Sequence, residues 1–477
     1  MWRTYAVAVV MAVLVAACGS AAGSTATDAA TTADTPTTET ATTADTTTTS
    51  DTASTTDPAT TSDATPISPE VSNAEVEAVV QAFLVEQTSA NAEAAVAAIA
   101  ANGNKRWVPW LLDFLRINVS SLLSITIGET LEAITGEPSE SRIPDMISFG
   151  SWAQSQRLDG GDGYREFKST LYERIDPAFG PLLTSVDSQL EVAGIQWGGV
   201  PIGGIPELND PARVPASEAT WMFDDEIIIG VVSNGQAVAY PLRILARHEL
   251  ANDTVGGDDL AVVYCTLCRS ALVFERLVNG QTLNFLTSGL LLNSNKIMYD
   301  IETGTLWHHL RGIGIGGELS GTTLALRSVN HMRWSDWVAE NPDTEVLRLP
   351  EPIFFDDPER PPISYDYTPG EAYRSYYENP DVWFPVLDTP ATFSLKTEVV
   401  GIRHNGDAVA FDVAAFNAGG ASAEIDVGGT TFAVEPTGAG VRVFDPDGER
   451  VITEQSFWFA WYANNPDTRS WPDESGN

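Results

Sequence analysis

The sequence predicts an α+β protein: an N-terminal α-helical, HEAT-like region followed by a β-rich domain built from two divergent repeats. Three observations carry this. Apolar residues recur at helical spacing up to about residue 193. From residue 194 onward, β-branched runs alternate with Gly, Pro, Asn and Asp. A set of short motifs from the first part of that β-rich stretch then returns, in order, further along the chain.

Residues 1–18 read as a lipoprotein signal peptide. Arg3 supplies a positive start, and Tyr5 to Val15 is an apolar run too short to span a bilayer. The run ends in Leu14-Val15-Ala16-Ala17-Cys18-Gly19, small residues before a cysteine. Cys18 is the expected lipidation point. Acyl chains there would tie the protein to a membrane, because each buried methylene contributes roughly 0.8 kcal/mol. The expected location is the cell envelope, lipid-anchored and extracytoplasmic. Residues 19–68 are Thr-, Ala- and Asp-rich, with almost no aliphatic side chains to offset the entropy of ordering, and read as a disordered linker.

The formal net charge is -39, from 65 acidic and 26 basic residues. That excess opposes nucleic acid as a partner. Nothing in it identifies a small-molecule or protein partner. Only three cysteines occur, and after Cys18 only Cys265 and Cys268 remain, so no disulfide framework can support the fold.

The α-helical region runs from 69 to 193. Val76, Val79, Val80, Phe83 and Leu84 lie on one helix face. An Ala-rich run ends at Gly103, and the next helix opens near Pro109, which gives this piece its HEAT-like character. A second helical stretch, Ile143 to Ser188, is interrupted by Gly160-Gly-Asp-Gly163.

The first β-rich repeat spans 194–349 and the second 350–477. Asn234-Gly235 between two apolar runs marks a hairpin, because both residues tolerate positive φ. Gly230-Val-Val-Ser-Asn-Gly-Gln-Ala-Val-Ala-Tyr240 returns as Gly401-Ile-Arg-His-Asn-Gly-Asp-Ala-Val-Ala-Phe411. Val255-Gly-Gly257 returns as Val427-Gly-Gly429, and Asn341-Pro-Asp-Thr344 as Asn465-Pro-Asp-Thr468. The second repeat has no cysteine where the first has Cys265 and Cys268.

Two cysteines separated by two residues, between two strands, put both sulfurs on one side of a tight loop. They can close a disulfide, cycle as a thiol pair, or aim two thiolates at one metal ion. His248, shortly before the cysteine strand, is the expected third ligand. His308 or Met298 would be the fourth, giving a soft S/N set suited to zinc or copper(I). Asp253, Asn293 and Tyr299 are expected to support these groups, and Arg269 would lower a thiol pKa. His248-Glu-Leu-Ala-Asn252 is not a zincin motif, since Asn252 stands where a second histidine is needed. His331 and His404 read as surface positions. The tryptophans at 107, 110, 152, 197, 307, 334, 337, 458 and 461 suit either core packing or a sugar-binding groove.

From Ile195 to about Leu349 the chain resembles the DUF3179 family, whose function is unknown. The resemblance rests on Trp197-Gly-Gly-Val-Pro-Ile-Gly-Gly-Ile-Pro206, Ala239-Tyr-Pro-Leu-Arg-Ile-Leu245, Asn252-Asp-Thr-Val-Gly-Gly257, Tyr264-Cys-Thr-Leu-Cys268, Ser288-Gly-Leu-Leu-Leu-Asn293, Met298-Tyr-Asp300 and Thr303-Gly-Thr-Leu-Trp307. The family's usual form is Cys-Pro-x-Cys-Gly, with Ser-Gln after the tryptophan. Here Thr266 replaces the proline, Arg269 the glycine, and His308 and His309 the Ser-Gln pair.

The functional expectation is a cell-envelope lipoprotein with a metal-binding or thiol-redox site at Cys265, Cys268 and His248. The alternative is a non-catalytic scaffold or ligand-binding protein, of carbohydrate for instance, with the cysteines as a structural disulfide. The sequence assigns neither a reaction nor a catalytic residue.

Overall fold

The computed structural model describes residues 71–471 except 117–119, 139–144, 354–361 and 388. The expected signal peptide, Cys18 and the linker lie outside the described residues.

Helices come first, over residues 73–194. Asn73–Val85 opens with a capping box, in which the Ser72 hydroxyl accepts from the Glu75 N–H and the Glu75 carboxylate accepts from Ser72. Ser89–Asn102 is capped by Thr88 and stopped by Gly103 in the left-handed conformation. Val76, Val80 and Phe83 share one core with Ala92, Val96 and Ile99. Small alanines let these two helices approach closely.

Further along, Val108–Arg116 and Tyr164–Tyr172 bury a polar knot. Asp113 accepts the Tyr164 hydroxyl at 2.6 Å and lies 3.4 Å from the Lys168 ammonium, which also donates to the Ile195 carbonyl at 2.5 Å. Leu290, Leu292, Ile297, Leu306 and Ile315, all from the β-rich part, belong to the same apolar core as these helices. The helical region therefore rests on a sheet and shares its core among the described residues.

Among the described residues, five sheets of three to five strands follow in a propeller-like arrangement. The same strand order occurs twice. The hairpin Ile227–Ser233/Gln236–Pro241 is flanked by antiparallel Asn330–Arg333 and parallel Glu345–Leu347. The hairpin Glu398–His404/Asp407–Asp412 is flanked by antiparallel Glu454–Phe457 and parallel Arg469–Trp471.

Side chains repeat as well. A short helix presents Trp337 to Gly230 in the first sheet, and another presents Trp461 to Gly401 in the second. A Cβ on either glycine would collide with the indole. The indole N–H of Trp337 donates to Thr344 at 2.8 Å, and that of Trp461 to Thr468 at 3.0 Å. The Asn-Pro-Asp-Thr motif recurs because its threonine anchors this tryptophan.

Each such hairpin is followed by a helix and a three-strand meander. In the first case the meander is Leu250–Val255, Asp258–Cys265 and Ser270–Glu275; in the second, Ala423–Val427, Thr430–Pro436 and Val441–Phe444. The two differ in what comes next. The first alone continues into Phe285–Leu292, Asn295–Asp300, Leu306–His308 and Ile313–Gly316, which form a sheet with Ile195–Trp197. That additional sheet lies against the cysteine turn.

Among the described residues, no helix is long and apolar enough to cross a membrane.

Candidate functional site

Asp258–Cys265 and Ser270–Glu275 pair antiparallel, with Cys265 opposite Ser270. The turn between them holds Thr266, Leu267, Cys268 and Arg269. Both cysteines are free thiols, 2% and 0% exposed.

Arg269 has φ +50, a conformation in which a Cβ is strained. This accounts for glycine in the family's usual form. Here the arginine is held from two sides, by an ion pair with Glu398 at 2.6 Å and by stacking over Tyr377 at 5.1 Å. The expected role of lowering a thiol pKa does not show in the structure, where neither thiol's shift traces to this guanidinium.

Three metal-ligating groups converge: the two sulfurs and a ring nitrogen of His309 lie within 4.8 Å of one another, all buried. His309 follows the strand Leu306–His308 of the additional sheet. It is fully buried, and its Nε2 has no hydrogen-bond partner. Its Nδ1 lies 3.5 Å from both the Ser270 hydroxyl and the Asn295 amide.

Asn295 is fixed by the Leu310 N–H, which donates to its Oδ1 at 3.4 Å, so its amide N–H points at the Cys268 sulfur, 2.9 Å away. The Ser270 hydroxyl is 3.0 Å from the same sulfur. Such donors stabilise a thiolate and orient it.

The two thiols are driven apart in acidity. Burial pushes Cys265 up, but its interactions with the neighbouring Cys268 thiol and the His309 ring outweigh it and leave that thiol below its ordinary value. Burial and the neighbouring Cys265 thiolate push Cys268 well above the ordinary range. Burial also lowers His309, against the opposing pull of Cys265, which keeps the ring neutral and fit to ligate.

One further pair adjoins the site. Lys296 and Glu249 form a buried ion pair at 2.5 Å, and the Thr266 hydroxyl donates to Glu249 at 2.9 Å. Glu249 caps Leu242–His248 in a left-handed conformation, which turns its side chain inward.

The expected third ligand is not the one the fold supplies. His248 commits both ring nitrogens elsewhere, Nδ1 to the Pro206 carbonyl at 2.8 Å and Nε2 to the Tyr367 hydroxyl at 2.6 Å. Burial lowers its pKa, so it is a neutral core histidine. His308 is also displaced from the expected role, since its Nδ1 accepts the Arg311 N–H at 3.3 Å. Its neighbour His309, one residue on, turns to the sulfurs as the strand ends. Met298 sits in the buried strand opposite Thr287 and Trp307, a packing position.

The expected supporting residues are likewise elsewhere. Asp253 binds Arg213 and accepts the Tyr240 hydroxyl at 2.6 Å. Asn293 and Ser294 form a positive-φ hairpin turn. Tyr299 packs, partly buried, on the helical core. The groups actually at the site, Ser270 and Asn295, carry no sequence motif. Only the strand pairing identifies them.

Six of the nine tryptophans are core residues. Trp107, Trp110, Trp307, Trp337, Trp458 and Trp461 are at most 1% exposed, so packing explains them. His331 is partly buried with its Nε2 enclosed, not the surface residue expected. His404 contacts Thr430 at 3.0 Å.

No curated protein and no solved structure matches the chain. A family comparison does: residues 202–446, which include both cysteines, His309 and most of the second repeat, match the family described as "Protein of unknown function (DUF3179)". Since that span is more than half of the 477 residues, the chain belongs to the DUF3179 family.

Proposed function

We propose that this protein binds one soft or borderline metal ion, zinc or copper(I), through Cys265, Cys268 and His309. The observation that carries the reading is the convergence of three ligand groups within 4.8 Å, with the His309 Nε2 buried and unpartnered. A buried polar atom without a partner costs roughly 1–3 kcal/mol. A metal bond at that nitrogen removes the cost. For zinc, charge argues the same way, because two thiolates, a neutral imidazole and a divalent ion sum to zero at a buried site. A hydrogen on Nδ1, directed at the Ser270 hydroxyl 3.5 Å away, would leave the Nε2 lone pair to the metal. Two protein sulfurs and a nitrogen would leave a zinc ion one coordination position for water or another ligand.

Under this reading the chain is a lipid-anchored, extracytoplasmic envelope protein, attached through Cys18, that presents the site on its β-rich part. The lipobox-like sequence before Cys18 supports the anchor. The pairing of Asn73–Val85 with Ser89–Asn102 is in keeping with a HEAT-like helical unit.

A dithiol that cycles with its disulfide is the second reading, favoured by the opposed acidities of Cys265 and Cys268. Elemental analysis of the full chain, together with thiol titration before and after reductant, separates the two. One equivalent of zinc or copper, lost on substitution of either cysteine, supports the metal site. A metal-free protein whose two thiols oxidise and reduce reversibly supports the redox pair and overturns it.

A further inference from the structure

The two sulfurs of the cluster are not equally reachable. Cys268 is 0% exposed, and its sulfur is covered by the Asn295 amide at 2.9 Å and the Ser270 hydroxyl at 3.0 Å. His309 is likewise 0% exposed. Cys265 keeps 2% exposure and forms part of the wall of a cavity that borders neither Cys268 nor His309. The cavity is partly open to solvent, and its walls are mainly apolar, with Leu267, Leu291 and Phe384 among them. Lys296 and Thr287 line it too, the ammonium 3.4 Å from the hydroxyl.

A reagent that comes from solvent by this route meets Cys265 first. Apolar walls favour an uncharged reagent, because a charged one must leave its hydration behind. Oxidation of a thiolate gives a sulfenic acid, which condenses with a second thiol to a disulfide. The second thiol is in place. The two sulfurs lie within 4.8 Å on a single turn between paired strands, and a disulfide spans about 2 Å.

Resting on the metal site proposed above, we infer that the site is an oxidation-sensitive one: an uncharged hydroperoxide oxidises Cys265, Cys268 closes a disulfide with it, and the ion is released. The Cys265 sulfur attacks the terminal peroxide oxygen and the O–O bond breaks. The leaving oxygen departs as hydroxide or alkoxide and takes up a proton from solvent, with Lys296 and Thr287 as donors on the same wall. The Cys268 sulfur then attacks the Cys265 sulfur, the S–O bond breaks, and a second hydroxide leaves and is protonated. Two electrons pass from the two thiolates to one hydroperoxide. Both sulfur ligands are lost together, which leaves the ion one imidazole.

The test loads the full chain with one zinc ion and treats it with hydrogen peroxide. A chromophoric chelator follows the zinc, and peptide mass spectrometry follows the cysteines, with dimedone to trap sulfenic acid. The expected result is one zinc released per Cys265–Cys268 disulfide formed. In Cys268→Ser dimedone should mark Cys265. In Cys265→Ser the oxidation of Cys268 should be at least tenfold slower. The unsubstituted chain, stripped of zinc and exposed briefly to iodoacetamide, should be labelled at Cys265 at least tenfold over Cys268, a readout that needs no variant to fold. Equal labelling, or labelling mainly at Cys268, would overturn the inference. Zinc retained with both thiols reduced in excess peroxide would also overturn it and leave the metal site standing. If the chain binds no zinc, the metal site fails and this inference fails with it.

Discussion

The backbone N–H of Phe457 donates to the carbonyl oxygen of Cys268 at 2.8 Å. Phe457 belongs to the second, cysteine-less repeat, so that repeat holds the turn on which the site stands. The preceding segment adds to the grip. The Tyr376 hydroxyl donates to the Leu267 carbonyl at 2.8 Å, and that of Tyr377 to Thr266 at 2.9 Å. Three successive carbonyls of the cysteine turn are thus fixed from outside it. The second repeat lacks the chemistry and supplies the rigidity, which is what a precise ligand geometry requires.

Substituting the two candidate histidines separates their roles. His309→Ala should lower zinc affinity by at least tenfold, measured by competition with a chromophoric chelator. His248→Ala should leave the affinity within about twofold and instead lower stability, because the Pro206 carbonyl and the Tyr367 hydroxyl lose their partner.

Arg269 is strained but paired. Arg269→Ala loses the Glu398 ion pair and keeps a side chain at φ +50. Arg269→Gly loses the same pair and relieves the backbone. The glycine variant should therefore be the more stable of the two by about 1 kcal/mol, read from urea midpoints.

The matched tryptophan–glycine contacts predict matched penalties. Gly230→Ala and Gly401→Ala each drive a methyl group into an indole, Trp337 and Trp461 respectively. Each should cost about 1–3 kcal/mol in urea unfolding. Adding Trp337→Leu to Gly230→Ala should cost less than the sum of the two single changes, because the smaller side chain makes room.

Stability should fall in mild acid. Burial, helped by the nearby Arg269 and Arg450 charges, holds His331 down to about 3. The folded state therefore keeps this ring neutral while the unfolded chain, titrating near 6.5, binds a proton first. The contribution is complete above pH 6.5 and is lost as the pH falls toward 3. His248, lowered by burial, acts in the same direction. Between pH 7.5 and pH 5, His331 alone should account for roughly 1–2 kcal/mol. His331→Gln should flatten the dependence of the urea midpoint on pH over that interval.

The sequence by itself determined the order of helices then strands, the hairpin at Asn234-Gly235, the recurring motifs and the closeness of Cys265 to Cys268. These are local matters. Periodicity sets which face of an element is apolar, and two intervening residues bring two sulfurs together whatever the rest of the chain does. Two similar motifs also fold alike, as the Trp337–Gly230 and Trp461–Gly401 contacts illustrate.

Tertiary structure alone decided which histidine meets those sulfurs. His248 is closer in sequence, yet the helix Leu242–His248 ends by pointing it at Tyr367. His309 arrives from a sheet that packs on the cysteine turn, 41 residues beyond Cys268. Asn295 and Ser270 join it through strand pairing and side-chain direction, neither of which leaves a pattern in composition. Convergence of groups distant along the chain depends on how sheets stack, and that is set by the packing of the whole core and not by any one segment of it.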